Sequence, residues 1–396
     1  MSLFLWGLVI IFAGGLASLF SGRRPGLASF LGSASAVAGS IVAVIPAFKS
    51  LLIGSTESLR LNWSVPFGSF FIQIDPISAL FLIPILGLTA IAAIYGAEYL
   101  WAYRENKNLG VPWFFYNVLL VGMMLVVVAR NGLLFLVAWE IMSLASFFLV
   151  TFEYEKPMVR QAGWIYLIAT HIGTAFLIVF FILLGHQAGS LDFDKVSVIP
   201  SSLANIMFLL AVVGFGTKAG FMPFHVWLPY AHPAAPSHVS AVMSGVMIKT
   251  GIYGLVRALT LLGMPPAWWC WALIGIGAVS GVLGVLFALA QHDLKRLLAY
   301  HSVENIGIIT IGLGVGLLGI NTNSPTLAIL GFGGGLLHVI NHAVFKGLLF
   351  LGAGSVLHSS GTGHIDLLGG LIKKMPVTAF TFLIGSIAIS GLPPLN

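Results

Sequence analysis

Three ionisable residues follow one another at four-residue intervals in the apolar run HVINHAVFKGLLFL, which covers residues 338–351. They are His338, His342 and Lys346. A spacing of four places them on one face of a helix, about 6 Å apart along the axis per step. Imidazole titrates near neutral pH, and a buried amine can take up and release a proton. The spacing therefore predicts a row of groups that can pass protons along one helix face.

Further ionisable residues lie inside apolar stretches: Glu140 in LVAWEIMSLA, Lys218 in GFGTKAGFMPFH, Lys249 in VMIKTGIYG, and His171. A charged side chain within a membrane span costs on the order of 2.5–3.5 kcal/mol on insertion scales and is functional by default. One buried Glu–Lys pair could equally be structural, and a lone histidine such as His171 is typical of a hydrogen-bonded core residue. Several buried lysines on different helices are hard to explain in that way, which favours a proton relay.

The whole chain has the composition of an integral membrane protein. Of its 396 residues, 58% are hydrophobic and 8% are charged, against about 25% charged residues in a soluble domain. A spanning helix needs roughly 20 mostly apolar residues, and we expect an all-α fold with about twelve such segments. They are 3–21, 28–53, 75–102, 112–129, 132–150, 161–186, 203–222, 239–262, 268–290, 299–320, 326–355 and 376–394. The first is expected to be a retained helix, because its basic pair follows the apolar run instead of preceding it.

Basic residues in the loops predict the orientation. One set of alternate loops contains Arg23, Arg24, Arg104, Lys107, Lys156, Arg160, Lys295, Arg296, Lys373 and Lys374, whereas the other contains Lys49, Arg60, Arg130 and Lys195. The richer set belongs in the cytoplasm, which places the N-terminus outside. Orientation therefore accounts for the net charge of +6 without a nucleic-acid partner. Arg257 lies near the outer end of its segment and is expected to extend its side chain to the interface.

Proline interrupts two of the predicted helices. Pro223 follows Lys218 and is itself followed by His225 and a proline-rich stretch, and the final run ISGLPPLN contains Gly391 and Pro394. Proline within a span breaks the helix, and broken helices at membrane depth mark binding sites in transporters. Corresponding breaks near Lys218–Pro223 and Gly391–Pro394 predict an inverted repeat.

Motifs of a self-contained enzyme are missing from the sequence. It has no GxGxxG or P-loop phosphate cradle, no HExxH, and no Ser or Cys nucleophile with a nearby base and orienting group. Its single cysteine, Cys270, excludes an internal disulfide and a cysteine-ligated cluster within this chain. We therefore expect no cofactor, no metal and no catalytic residue here, and any redox chemistry must lie in other subunits.

Long ordered stretches resemble a known family. WEIMSLASFFLV, GTKAGFMPFHVWLPYAHPAAPSHVSAVMSGVMIKTGIYGL and NHAVFKGLLFLGAGSV are similar to the proton-translocating antiporter-like subunits of complex I and of Mrp-type sodium/proton antiporters. The resemblance extends from about residue 75 onward. Within the family, LLAYHSVENIGII resembles the branch formed by hydrogenase-4 component B and formate hydrogenlyase subunit 3.

The resemblance implies roles for individual positions. Glu140 matches a glutamate, and Lys218 the lysine of a broken helix, that pair across a half-channel. Lys249 matches a lysine of the following helix. His342 and Lys346 match a central stretch that leads to a second half-channel.

Two histidines are further candidates for proton transfer. His338 shares the face of His342, and His225 follows the first helix break.

Residues 1–110 are expected to form N-terminal transmembrane helices and 111–396 the proton-translocating domain. The resemblance implies one more charged residue directly after the GLPP-like sequence, where this sequence stops, so we expect a C-terminally truncated fragment.

The main hypothesis is a proton-translocating membrane subunit of a hydrogenase-4/formate hydrogenlyase-type or NADH–quinone oxidoreductase-type complex, in the plasma membrane of a bacterium or archaeon. Its expected partners are other membrane subunits, the lipid bilayer and a peripheral redox arm of hydrogenase or iron–sulfur subunits, with no nucleic acid. One alternative is an Mrp-type cation/proton antiporter subunit without a redox partner. The other is a structural membrane anchor whose buried pairs only hold helices together.

Overall fold

The computed structural model describes residues 1–63 and 68–393, and most of them are helical. In chain order the helices are α1 (Ser2–Phe20), α2 (Pro25–Ile53), α3 (Pro76–Trp101), α4 (Gly110–Val128), α5 (Gly132–Val150), α6 (Pro157–Ala188), α7 (Ser201–Ala219), α8 (Leu228–Ala234), α9 (Ser237–Leu261), α10 (Ala267–Leu289), α11 (Leu294–Asn321), α12 (Pro325–Ser360), α13 (Leu371–Lys374) and α14 (Pro376–Ile389). The all-α class predicted from composition is confirmed.

Eleven of the described helices are long and apolar enough to cross a membrane. The twelfth predicted segment, 376–394, contains only the shorter α14. Its 14 residues extend about 21 Å, less than the roughly 30 Å of a hydrocarbon core. Gly391 follows with a positive φ of 71°, as expected where a helix is interrupted, whereas Pro394 of the predicted break lies outside the described residues.

The predicted break after Lys218 is confirmed. The α7 helix ends at Ala219, and Gly220 takes the left-handed φ of 88°, which a residue without a Cβ adopts at little cost. Helical structure resumes only at α8. The indole nitrogen of Trp227 donates a 2.8 Å hydrogen bond to the carbonyl of Thr217, close to the break. Such side-chain bonds satisfy backbone groups that an interrupted helix leaves open inside a membrane.

The α9 helix lies at the centre of the bundle. Every residue in its apolar window is buried, and it packs against α3, α7 and α12. It contains one π-helical turn, Met243–Met247, which ends two residues before Lys249. A Cβ at Gly251 would lie 2.6 Å from the carbonyl oxygen of Phe215 in α7, so only glycine permits this close approach of the two backbones. The contact brings the helix of Lys249 directly against the helix of Lys218.

A small β-hairpin, which the sequence patterns did not predict, joins α2 to α3. Strand β1 (Glu57–Leu61) pairs antiparallel with β2 (Phe70–Ile74). The guanidinium of Arg60 lies 3.9 Å from the ring centroid of Phe71 and 2.7 Å from the carboxylate of Asp194. These contacts attach the hairpin to the loop that follows α6.

Candidate functional site

The Lys218 ammonium lies in a polar pocket between three helices. Its side chain is buried, and Nζ donates hydrogen bonds of 3.0 Å to Ser143 Oγ of α5 and of 3.0 Å to the Tyr166 hydroxyl of α6. The ring centroids of Trp139 and Tyr166 lie 5.7 and 5.3 Å from Nζ, within cation–π range. A 2.5 Å bond links the Tyr166 hydroxyl to Ser146 Oγ. A short chain of two hydroxyl groups, those of Tyr166 and Ser146, therefore extends from Lys218.

Glu140 lies one helical turn before Ser143 but binds other partners. Its Oε1 accepts a 2.7 Å hydrogen bond from Thr174 Oγ1, and its Oε2 lies 3.4 Å from His171 Nε2. The charges of Glu140 and Lys218 interact electrostatically, but the described residues contain no direct ion pair between the two. The pairing that the resemblance implies is therefore indirect in this structure.

His171 differs from the core residue that the sequence suggested. Its side chain is 48% exposed and that of Glu140 is 30% exposed, so the pair lies at the surface of the bundle. The surface consists of α5 and α6, the helices that carry the two residues. Because an ionisable pair facing hydrocarbon is costly, this face requires polar cover.

Lys249 occupies the first turn of α9 after the π-helical segment. It is buried, and its Nζ donates a 2.7 Å hydrogen bond to the carbonyl oxygen of Ser244. The hydroxyl of Ser244 is in turn 2.7 Å from that of Ser302 in α11. The described residues provide no carboxylate within ion-pair distance of Lys249.

The row on α12 has the geometry that its spacing predicts. The rings of His338 and His342 are stacked with centroids 6.3 Å apart and an interplanar angle of 9°. His338 Nε2 lies 2.9 Å from Asn305 Oδ1, and Lys346 Nζ donates a 2.6 Å hydrogen bond to the carbonyl of Leu298. His342 is fully buried, and neither of its ring nitrogens has a hydrogen-bond partner among the described residues.

A buried histidine that the sequence patterns did not single out lies beside this row. His232 of α8 is fully buried, and neither ring nitrogen has a hydrogen-bond partner in the described part of the chain. The lysines that act on it electrostatically are Lys346, Lys295 and Lys249. Lys295 Nζ donates a 2.5 Å hydrogen bond to a carbonyl just after the end of α8. His232 sits in the proline-rich stretch LPYAHPAAPSH after the broken helix. Its titratable side chain at that position was the available signal.

His225, which the sequence did predict as a candidate, lies between α7 and α8. It is half-buried, and its ring centroid is 6.2 Å from that of Tyr300. Its Nδ1 is buried without a hydrogen-bond partner among the described residues. The structure thus brings His225 to the broken helix but not into a hydrogen bond with Lys218.

Arg257 behaves differently from the prediction that it reaches water. Its side chain is only 12% exposed, and a terminal nitrogen lies 2.9 Å from Asp75 Oδ1. Arg130 lies 3.1 Å from the same oxygen and donates to the Tyr253 hydroxyl at 2.9 Å. Burial alone would raise the pKa of Asp75, but the hydrogen bond from Arg257 and the two positive charges lower it to about 2. We call these four residues the Asp75 cluster; it joins the ends of α3, α5 and α9.

No site for a metal ion emerges in the ranges 1–63 and 68–393, where three or more His, Cys, Asp or Glu side chains never converge. Cys270 is buried in α10, and its thiol lies 3.7 Å from the carbonyl of Pro266.

The chain combines a bundle of spanning helices, a helix broken after a buried lysine, and further buried lysines on other helices. These features define the antiporter-like class of membrane proteins. The family described as NADH:quinone oxidoreductase/Mrp antiporter, TM, matches residues 129–396. The chain belongs to this family and is a multi-pass membrane protein.

Its relatives include hydrogenase-4 component B of Escherichia coli (strain K12), which is 41% identical over all of this chain and 59% of its own length. Formate hydrogenlyase subunit 3 of the same strain is 36% identical over 96% of this chain and 60% of its own length. The chain thus spans about three fifths of these relatives. Among solved structures, the Mrp complex from Dietzia sp. DQ12-45-1b matches with a TM-score of 0.85 and 26% identity, over all of this chain and 42% of the matched one. The archaeal membrane-bound sulfane sulfur reductase matches with a TM-score of 0.82 and 27% identity, over 98% and 62%.

Proposed function

We propose that the chain is a proton-translocating part of a membrane subunit in a hydrogenase-4/formate hydrogenlyase-type or NADH–quinone oxidoreductase-type complex. The observation that carries the proposal is the burial and the hydrogen bonding of three lysines, Lys218, Lys249 and Lys346. Each is buried on a different helix, and each donates only to hydroxyl or carbonyl groups among the described residues. Burial disfavours a fixed ammonium charge. A lysine held by neutral acceptors can therefore change its protonation state during a cycle.

The path that we propose runs through the interior of the bundle. Glu140 receives protons at the face of α5 and α6, and Lys218 exchanges them through the hydroxyls around it. Lys249 continues the path at the centre, since its charge and that of Lys346 both act on His342. His342 and Lys346 then lead along α12, with His338 as its extension towards α11.

Energy for this movement must come from outside the chain. Moving one proton against 100 mV costs about 2.3 kcal/mol. The sequence contains no redox motif, whereas similar proteins carry the names hydrogenase-4 component B and formate hydrogenlyase subunit 3. We propose that a peripheral redox arm with hydrogenase or iron–sulfur subunits drives the path. The partly exposed pair of Glu140 and His171 supports a neighbouring membrane subunit that covers it. The loop charges support an N-terminus outside the plasma membrane of a bacterium or archaeon.

Replacement of the first two groups tests the proposal. Lys218→Ala and Glu140→Ala should each abolish proton translocation by the reconstituted complex while the complex still assembles. Lys195→Ala, which removes an exposed lysine outside the spans, should leave translocation unchanged. Undiminished pumping by an assembled Lys218→Ala complex would contradict the proposal.

An Mrp-type cation/proton antiporter is the second candidate, because the structural similarity to the Mrp complex extends over the whole chain. A component of the sodium/proton antiporter of Alkalihalophilus pseudofirmus is also 35% identical over 87% of this chain and 43% of its own length. Purification distinguishes the two candidates. Redox-cofactor proteins that copurify with the chain support the first, and sodium-dependent proton exchange without such proteins supports the second.

A further inference from the structure

A cavity of about 640 Å³ lies at one end of the bundle, away from the buried lysines. It is formed where the loop between α3 and α4 meets the end of α5 and the start of α6. Its walls are side chains within about two turns of the helix ends, and its rim consists of loop residues and Arg160 in the first turn of α6. The cavity therefore crosses the boundary between hydrocarbon and water.

The walls of the cavity are aromatic and open towards the lipid. Phe115 of α4 and Phe148 of α5 are stacked with ring centroids 4.3 Å apart and an interplanar angle of 19°. Phe148 is 48% exposed and Trp164 of α6 is 60% exposed. Val111, in the first turn of α4, completes this side. Aromatic side chains at the ends of membrane helices suit the level of the lipid headgroups.

The rim carries an excess of positive charge. Lys107 donates to both carboxylate oxygens of Glu155, at 2.5 and 2.6 Å, and neutralises them. These hydrogen bonds hold the pKa of Glu155 below its usual value, so the carboxylate stays ionised and paired. Arg160 donates through one terminal nitrogen to the carbonyls of Tyr154 and Glu155. It has no carboxylate partner among the described residues, so the rim presents one uncompensated guanidinium.

We propose that this cavity binds an anionic glycerophospholipid, with the phosphate at Arg160 and an acyl chain against the stacked rings of Phe115 and Phe148. Guanidinium groups pair with phosphate through parallel hydrogen bonds, and basic pockets between membrane helices bind anionic headgroups. A soluble anion would leave the aromatic wall unused, and an apolar helix of another subunit would leave Arg160 without a counter-charge. The lipid satisfies both parts of the cavity, independently of proton translocation.

Native mass spectrometry of the full chain in a neutral detergent tests this site. The probes are phosphatidylglycerol and phosphatidylcholine with identical acyl chains, and glycerol phosphate as a chain-free competitor. We expect phosphatidylglycerol to bind at least about tenfold more tightly than phosphatidylcholine, because both lipids carry the phosphate but the quaternary ammonium of choline adds a second positive charge beside Arg160. Glycerol phosphate at the same concentration should not displace them.

Three variants separate the lipid site from a folding defect. Arg160→Gln should abolish the preference for phosphatidylglycerol, and Arg160→Lys should retain part of it. Val111→Trp fills the cavity without changing its charge and should reduce binding of both lipids. As a matched control, Arg104→Gln removes a basic residue of the loop between α3 and α4 that does not line the cavity, and should bind like the unmodified chain.

Three results of the binding measurements would overturn the proposal: equal binding of the two lipids, an unchanged preference in Arg160→Gln, or full displacement by glycerol phosphate. A cysteine introduced at Trp164 provides a further test in the assembled complex. Cross-linking of this cysteine to another subunit, together with a cavity that no longer binds phosphatidylglycerol, would assign the cavity to a protein partner and also overturn the proposal.

Discussion

Removal of one hydroxyl group should separate the role of Lys218's surroundings from that of Lys218 itself. In Tyr166→Phe the ring face remains, and with it the cation–π contact at 5.3 Å. The 3.0 Å hydrogen bond from Nζ is lost, which leaves Ser143 as the only hydrogen-bond acceptor that the described residues offer to this amine. The substitution therefore changes the hydrogen bonding of Lys218 with little change in packing volume.

The size of the effect follows from that one bond. A hydrogen bond with a charged partner contributes about 1.5–3 kcal/mol, so the protonated state of Lys218 becomes less favourable by a similar amount. If proton transfer passes through that state, the rate should fall roughly ten- to hundredfold. The Ser146 hydroxyl also loses its 2.5 Å partner, which interrupts the hydroxyl chain.

The assay is proton uptake into proteoliposomes that contain the assembled complex, followed with a pH-sensitive dye. Tyr116→Phe is the matched control, because Tyr116 is equally buried and its hydroxyl donates a 2.7 Å hydrogen bond to the carbonyl of Thr89, away from Lys218. A Tyr166→Phe rate within about twofold of the unmodified complex would refute the reasoning, since the lost bond predicts at least a tenfold change. An equal loss in Tyr116→Phe would assign the effect to general destabilisation.

Three further predictions concern other parts of the bundle. Asp75→Asn should lower the free energy of unfolding by about 3–5 kcal/mol, because Arg130 and Arg257 lose their counter-charge. Since folding depresses the pKa of Asp75 to about 2, its contribution is complete above the ordinary value of 3.8 and is lost as pH falls through about 2; acid denaturation of the two proteins checks this. Because three lysines act electrostatically on the buried His232, His232→Gln should slow proton uptake without preventing assembly, since the amide keeps polarity but cannot carry a proton; an unchanged rate would show that His232 takes no part in proton transfer. Gly251→Ala should cost about 1–3 kcal/mol of thermal stability, since its Cβ would lie 2.6 and 2.8 Å from backbone atoms of α7; an unshifted melting temperature would argue against that close packing.

Local patterns predicted the parts of the site that depend on one helix. Four-residue spacing was enough to align His338, His342 and Lys346, because helical geometry fixes their relative positions. The break after Lys218 was predictable for a similar reason: glycine and proline act on the backbone where they stand.

Features that depend on packing between helices were not predictable in this way. Tyr166 and Ser143 become partners of Lys218 only when α5, α6 and α7 meet, and no spacing in the sequence links them. The exposure of Glu140 was missed because an apolar run does not tell which of its faces points outward. Arg257 has a long side chain able to reach water, and it also has a partly buried partner, Asp75, that lies far away in the sequence. The tertiary contact with Asp75, and not the length of the side chain, determines where the Arg257 guanidinium lies.

The enclosed position of α9 has a consequence for the way the chain enters the membrane. Its Lys249 face and its opposite face are both covered in the finished bundle, by α3, α7 and α12. During synthesis α3 and α7 are made first, whereas α12 is made only after two more spanning helices. Until then one side of α9 faces lipid or the insertion machinery with its lysine uncovered, an arrangement that is costly. Stable membrane integration of α9 should therefore be delayed until α12 is made. The helices that precede and follow α9 in the sequence should then complete their packing together, as one cooperative unit.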